Sequence, residues 1–147
     1  MISVAIVGRP NVGKSSLFNR LTKSRDALVA DLPGLTRDRH YGKIMIEDAQ
    51  FILVDTGGFE PKKKIGIAKK MALQTLLAID ECDVILFVVD GREGLHPIDQ
   101  HIADVIRKND KEKILLINKT EGMQHEIVGA DFYSLGFKNI LSISSAH

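Results

Sequence analysis

The chain has 147 residues, 44% of them hydrophobic and 27% charged. These proportions fit one folded domain and exclude disordered, collagen-like and disulfide-stapled chains. Its 20 basic and 19 acidic residues leave a net charge of +1, so any attraction to nucleic acid or to a membrane has to be local.

Residues 3–7 read as a strand buried on both faces. Straight after it comes Gly8-Arg9-Pro10-Asn11-Val12-Gly13-Lys14-Ser15, the phosphate-loop pattern G-x-x-x-x-G-K-[ST]. The two glycines let the backbone curl until successive N–H groups point at phosphate oxygens. The helix that opens near Gly13 adds its positive N-terminal end. Lys14 brings a charge to the outer phosphates, and the Ser15 hydroxyl can ligate Mg2+. At ordinary composition such a pattern arises by chance in about one chain in 200 of this length. Placed between strand and helix, Gly8 to Ser16 imply a bound nucleoside di- or triphosphate. Leu17, Phe18 and Leu21 mark the inner face of the helix.

Residues 31–40 form a polar loop containing Pro33 and Gly34. Residues 43–47 alternate in polarity and suggest an edge strand paired with strand 51–54 across a turn at Asp48 and Ala49. Asp55-Thr56-Gly57-Gly58 ends that strand. D-x-x-G is common by chance, and its placement at a strand end gives it weight: Asp55 would hold Mg2+ through water and the Gly58 N–H would reach a gamma-phosphate. Residues 61–70 hold five lysines and no acid. They read either as a patch for RNA phosphates or as an ordinary solvated helix face, and both readings stand. Ala68, Met71, Ala72, Leu76 and Ile79 then share one helical face.

The single cysteine, Cys82, forms no internal disulfide, in keeping with a reducing, cytoplasmic setting, and reads as a buried residue entering strand 84–89. That strand is the longest apolar run, far short of the roughly 20 residues that span a membrane. Pro97 suits the first turn of a helix carrying Ile98, Ile102, Val105 and Ile106 inward. Strand 114–117 ends in Asn118-Lys119-Thr120-Glu121. A carboxylate there can accept from the N1–H and N2 amino group of guanine, which adenine does not offer, a discrimination of roughly 10^4–10^5. Residues 123–135 suggest a weaker helix interrupted by Gly129, with Gly136 as its C-cap. Strand 140–143 is followed by Ser144-Ser145-Ala146, where a backbone N–H can meet the guanine O6. The five histidines, His40, His96, His101, His125 and His147, show no metal-ligand spacing. The expected fold is α/β: a mixed, mainly parallel six-stranded sheet with helices on both faces and its ligand at the carboxyl ends of the strands.

Taken together, G-R-P-N-V-G-K-S, D-L-P-G-L-T-R-D-R-H-Y-G, D-T-G-G-F, N-K-T-E and the late D-F-Y-S-L-G resemble the translation-factor-like GTPases. Within them the chain is similar to the first GTPase domain of the bacterial Der (EngA) family, over essentially its whole length. The resemblance implies a P-loop GTPase fold that binds GTP and GDP with Mg2+, hydrolyses GTP slowly and works in assembly of the large ribosomal subunit. Family members carry two tandem GTPase domains and a KH-like domain. Residues 1–147 would then be one G domain, stopping before its last helix, and a monomer by itself. Thr36 matches the switch threonine that ligates Mg2+ and senses the gamma-phosphate, and Asn11 matches an asparagine that coordinates K+ in potassium-stimulated relatives. Lys14, Thr36, Gly58 and Asn11 would thus form the catalytic set. Two residues depart from common GTPase patterns. Glu121 stands where Asp is usual, and Phe59 stands where many relatives place a water-orienting glutamine. Three other readings stay open: a nucleotide-dependent binding switch with negligible turnover, an Era-like or MnmE-like RNA-associated GTPase, and an ATP-using phosphotransferase.

Overall fold

Residues 2–22, 28–29, 40–56, 67–119, 122 and 130–144 are described by the computed structural model. Their strands are β1 (Ile2–Val7), β2 (Leu28–Val29), β3 (His40–Ile46), β4 (Ala49–Asp55), β5 (Val84–Asp90), β6 (Glu112–Asn118) and β7 (Ile140–Ser142). The helices are α1 (Lys14–Thr22), α2 (Ile67–Glu81) and α3 (Pro97–Arg107). All strands lie in one sheet of order β2-β3-β4-β1-β5-β6-β7. β1, β4, β5, β6 and β7 run parallel, while β3 pairs antiparallel with β4 as the expected hairpin, its turn at Glu47 and Asp48 rather than at Asp48 and Ala49 because Ala49 already pairs with Ile46. The six expected strands are therefore present. The two-residue β2, antiparallel to β3, lengthens the sheet beyond them.

Alternation along the central strands sends side chains to two cores. Ala5, Val7, Phe87, Val89, Leu115 and Ile117 pack with Ile79, Ile102 and Ile106 of α2 and α3. Ile6, Leu53, Val88 and Leu116 pack on the other face with Leu17 and Phe18 of α1. Helices thus cover both faces, and Phe87 meets Phe137 edge-on at 5.7 Å between ring centres.

Helix phase differs from expectation at two leucines. Leu21, expected to point inward, is 37% exposed, and the apolar side chains that α1 buries are Leu17 and Phe18. Leu76 is 48% exposed, because the buried stripe of the described part of α2 is Thr75, Ala78 and Ile79, continued by Cys82 just past its end. The side chains of Ala68, Met71 and Ala72 lie outside the described residues. Of the helix expected over 123–135, the described part is a 3-10 turn, Phe132–Leu135, buried through Phe132 and Leu135. Gly136 closes it with φ 80°, as expected of a C-cap. Residues 123–129 and the loop 30–39 lie outside the described residues, as do 57–66 with most of the lysine run.

Lysines close the pole where α2 and α3 end. Lys111 donates to the Ile79 carbonyl and Lys113 to the Ile106 carbonyl at 2.9 Å, satisfying last-turn acceptors and opposing the helix dipoles. α3 begins with Pro97 behind a capping box, in which His96 Nδ1 accepts from Ile98 N–H and Asp99 Oδ2 accepts from His96 N–H. Among the described residues, no helix is long and apolar enough to cross a membrane.

Candidate functional site

The parallel pairing of β1, β4, β5 and β6 brings four loop origins to one end of the sheet. Ile6 stands beside Asp55, and Asp90 beside Asn118. The loop after β1 needs three residues in the left-handed region: Gly8 at φ 153°, Asn11 at φ 67° and Gly13 at φ 100°. Asn is among the few side chains that tolerate this conformation. At Gly8 the requirement is also one of space, since a Cβ there would lie 2.5 Å from the Val88 carbonyl oxygen.

Lys14 folds back into this loop. Its Nζ donates to the Gly8 carbonyl and, at 2.9 Å, to the Arg9 carbonyl, and the residue is buried. Burial lowers its pKa from 10.5 to about 8; Arg9 adds to the lowering, while Asp55 and Asp99 oppose it. The Ser15 hydroxyl donates to Asp55 Oδ2 at 3.4 Å. Two hard oxygen donors thus meet where Mg2+ was expected, so their chemistry fits that ion. Thr56 turns its hydroxyl to the Ile6 carbonyl at 2.8 Å and so braces β1 against β4.

The loop after β6 is tied to the same place. Asn118 Nδ2 donates to the Val12 carbonyl at 2.9 Å, and Lys119 Nζ donates to the Asn11 carbonyl at 2.8 Å. Lys119 also pairs with Asp90 at 3.1 Å. Burial pushes the Asp90 carboxyl up, but N–H groups of Glu93 and Arg92 and the Lys119 ammonium outweigh it, and its pKa is lowered. A cavity of about 380 Å3 lies over these groups, lined by Pro10, Asn11, Gly13, Lys14, Ser15, Ser16 and Lys119.

The fold therefore gathers Gly8, Arg9, Pro10, Asn11, Val12, Gly13, Lys14, Ser15, Ser16, Asp55, Thr56, Asn118 and Lys119. Val12 is fully buried, so only its backbone faces the loop's business. Thr36, Gly57, Gly58, Phe59, Glu121, Ser145 and Ala146 lie outside the described residues. Sequence reasoning missed Asp90, Glu93 and Asp99, which hold the loops from β5 and α3. The V-V-D ending of β5, parallel to the aspartate that ends β4, was the available signal.

A pH dependence follows from Lys14. If Lys14 holds phosphate as the sequence leads one to expect, binding needs its ammonium, which is lost as pH rises through about 8. GDP affinity measured by titration calorimetry is expected to be flat below that pH and to fall roughly tenfold per unit above it. Fold stability runs the other way. With its folded pKa below 10.5, Lys14 binds more protons when unfolded, so its contribution to stability rises with pH between about 8 and 10.5. Constant GDP affinity from pH 7 to 9 would contradict the assignment of that ammonium.

Comparison with known proteins follows the same lines. Residues 3–119 match the family model described as 50S ribosome-binding GTPase. GTPase Der of Cupriavidus metallidurans is 61% identical over 144 residues, covering 98% of this chain and 32% of that protein. GTPase Der of Burkholderia cenocepacia is 58% identical over the same length. The chain spans about a third of the length of these curated relatives. Among solved structures, Era in complex with MgGDPNP and nucleotides 1506–1542 of 16S ribosomal RNA superposes with a TM-score of 0.71 at 32% identity, covering 97% of this chain and 50% of that one. The G domain of the T. maritima FeoB iron transporter gives 0.66 at 28% identity, covering 99% and 89%.

Proposed function

We propose that this chain, which belongs to the 50S ribosome-binding GTPase family, binds GTP and GDP with Mg2+ and hydrolyses GTP as the nucleotide switch of a Der-type factor in large-subunit assembly. Residues 1–147 act as one GTP-binding module, cytoplasmic and monomeric by itself, reaching the ribosome and its RNA as part of the whole protein. The observation that carries the reading is Lys14, folded into a glycine-shaped loop whose neighbours are a Ser15–Asp55 contact and the anchored Asn118.

Within that reading the residues divide the work. Loop N–H groups and Lys14 hold the beta- and gamma-phosphates. Ser15, Thr36 and, through water, Asp55 would hold Mg2+, which neutralises charge developing on the phosphate oxygens. The Gly58 N–H meets the gamma-phosphate. Water attacks the gamma-phosphorus in line, the bond to the beta–gamma bridging oxygen breaks, and the water's proton leaves on the phosphate products. Glu121 accepts from guanine N1–H and the N2 amino group, while the Ser145 and Ala146 N–H groups face O6. Asn118 and Lys119 keep that loop against the phosphate loop.

Phe59 cannot orient water. Asn11, exposed at the rim of the loop, is assigned to K+, whose charge would assist as an arginine finger does, an effect of up to roughly 10^3–10^5. Single-turnover hydrolysis of GTP in KCl and in NaCl at matched ionic strength tests this, with ATP and XTP as competitors. Faster turnover in KCl, at least about tenfold, is expected, with neither competitor displacing GTP at equal concentration. Equal rates in both salts remove K+ from the mechanism. Binding without turnover in either salt favours the second reading, a nucleotide-dependent binding switch, which Phe59 supports. Effective competition by ATP would return the phosphotransferase reading.

A further inference from the structure

Arg9 belongs to the phosphate loop, yet its side chain turns away from the cavity and is buried. Its Nη2 lies 2.8 Å from Glu93 Oε2, and its Nε lies 3.3 Å from Asp99 Oδ1. Glu93 precedes α3 and is largely exposed; Asp99, in the first turn of α3, is fully buried. The two oxygens of Asp99 have separate tasks. Oδ2 caps the helix by accepting from His96 N–H at 3.0 Å, while Oδ1 makes no hydrogen bond and faces the equally unbonded Arg9 Nε. The main chain of Arg9 completes the link, because its carbonyl accepts from Lys14 Nζ at 2.9 Å. A line of contacts thus runs from the first turn of α3 through Asp99 and Arg9 to Lys14.

A lone buried ion pair contributes little to fold stability, since desolvation cancels most of its attraction. Two carboxylates on different nitrogens of one planar guanidinium do fix its direction. That matters here because Gly8, Asn11 and Gly13 all have positive φ, and such backbone persists only where its surroundings over-determine it. We propose that Asp99, acting through Arg9 and assisted by Glu93, is a positioning residue that indexes the phosphate loop to α3 and so sets nucleotide affinity. This rests on the reading that the loop holds nucleotide phosphates.

The test measures GDP Kd and thermal midpoint for the unaltered chain, Asp99→Asn, Arg9→Met, their double variant and Glu93→Gln. Each of the first two is expected to raise Kd about tenfold, the cost of a loosened site, and to lower the midpoint by several degrees, because it leaves one buried charge without its partner. The double variant should bind no worse than either single one, because both break the same link. Glu93→Gln, at an exposed position, should cost less than about threefold. A folded Asp99→Asn that binds GDP as tightly as the parent overturns the proposal, and so do single effects that multiply in the double variant. Should Asp99→Asn or Arg9→Met unfold, Arg9→Lys keeps the charge and loses the fork. Unchanged affinity in that variant overturns the proposal equally. Failure of the parent to bind GDP would instead overturn the nucleotide reading itself.

Discussion

Replacing Lys14 by methionine is expected to raise the Kd for GTP and GDP about a hundredfold, some 3 kcal/mol, while leaving the thermal midpoint within a few degrees of the parent. The two halves of this outcome have one cause. Burial works against the Lys14 ammonium, lowering its pKa to about 8, so the fold carries a charge it would sooner be without. Methionine keeps the unbranched stem and removes that charge. The Gly8 and Arg9 carbonyls lose their donor, but Lys14 itself lines the cavity, and water entering from there can replace it. What cannot be replaced is the charge aimed at the phosphates. Titration calorimetry with GDP and a thermal melt read the two effects separately. Unchanged GDP binding by Lys14→Met would show that the phosphates do not lie in this loop. A large fall in midpoint with binding intact would make Lys14 a structural residue.

Gly8→Ala should do the reverse and damage fold and binding together. The added Cβ would sit 2.5 Å from the Val88 carbonyl oxygen, a main-chain atom of β5, and φ at this position is 153°. β5 cannot yield freely, because β1 and β6 flank it and Val88 pairs with Leu116. Relief has to come from the loop or from the β1–β5 ladder. Strained backbone plus a main-chain clash is expected to cost about 3 kcal/mol, or roughly 6–12 °C in midpoint for a chain of this size. GDP affinity should fall with it, since the loop opens at this residue. A Gly8→Ala variant with parental midpoint and affinity would show that the close approach to Val88 does not constrain the loop.

The phosphate loop and the order of strands around it were legible because each is local. A buried strand announces itself by a short β-branched run, and the loop's chemistry lies within eight consecutive residues. Leu76 and Leu21 misled because a 3.6-residue period admits more than one inward phase, and on α2 Leu73, Leu76 and Leu77 form an exposed apolar stripe on the face away from the buried Thr75, Ala78 and Ile79. The pair Leu28–Val29 is too short to carry any period. Arg9, Asp99 and Asp90 belong to another category. Arg9 stands 84 positions from Glu93 and 90 from Asp99, and Asp90 stands 29 from Lys119; contact follows from β5 lying between β1 and β6 in the sheet, which no local pattern encodes. Pro97 marked the start of α3, but not that one oxygen of Asp99 would cap it and the other face the phosphate loop.

The cross-ties among Asn118, Lys119, Asp90 and the carbonyls of Asn11 and Val12 have a bearing on motion as well as on shape. Each tie leaves one loop and ends on another, so none of the three can open while the others stay closed. Local opening there is a single event, involving the ends of β1, β5 and β6 at once. On the function proposed above, a ligand that grips only phosphate would quiet the base-recognition end too, and one that grips only the base would steady the phosphate loop. The halves of a nucleotide would then reinforce each other through these ties.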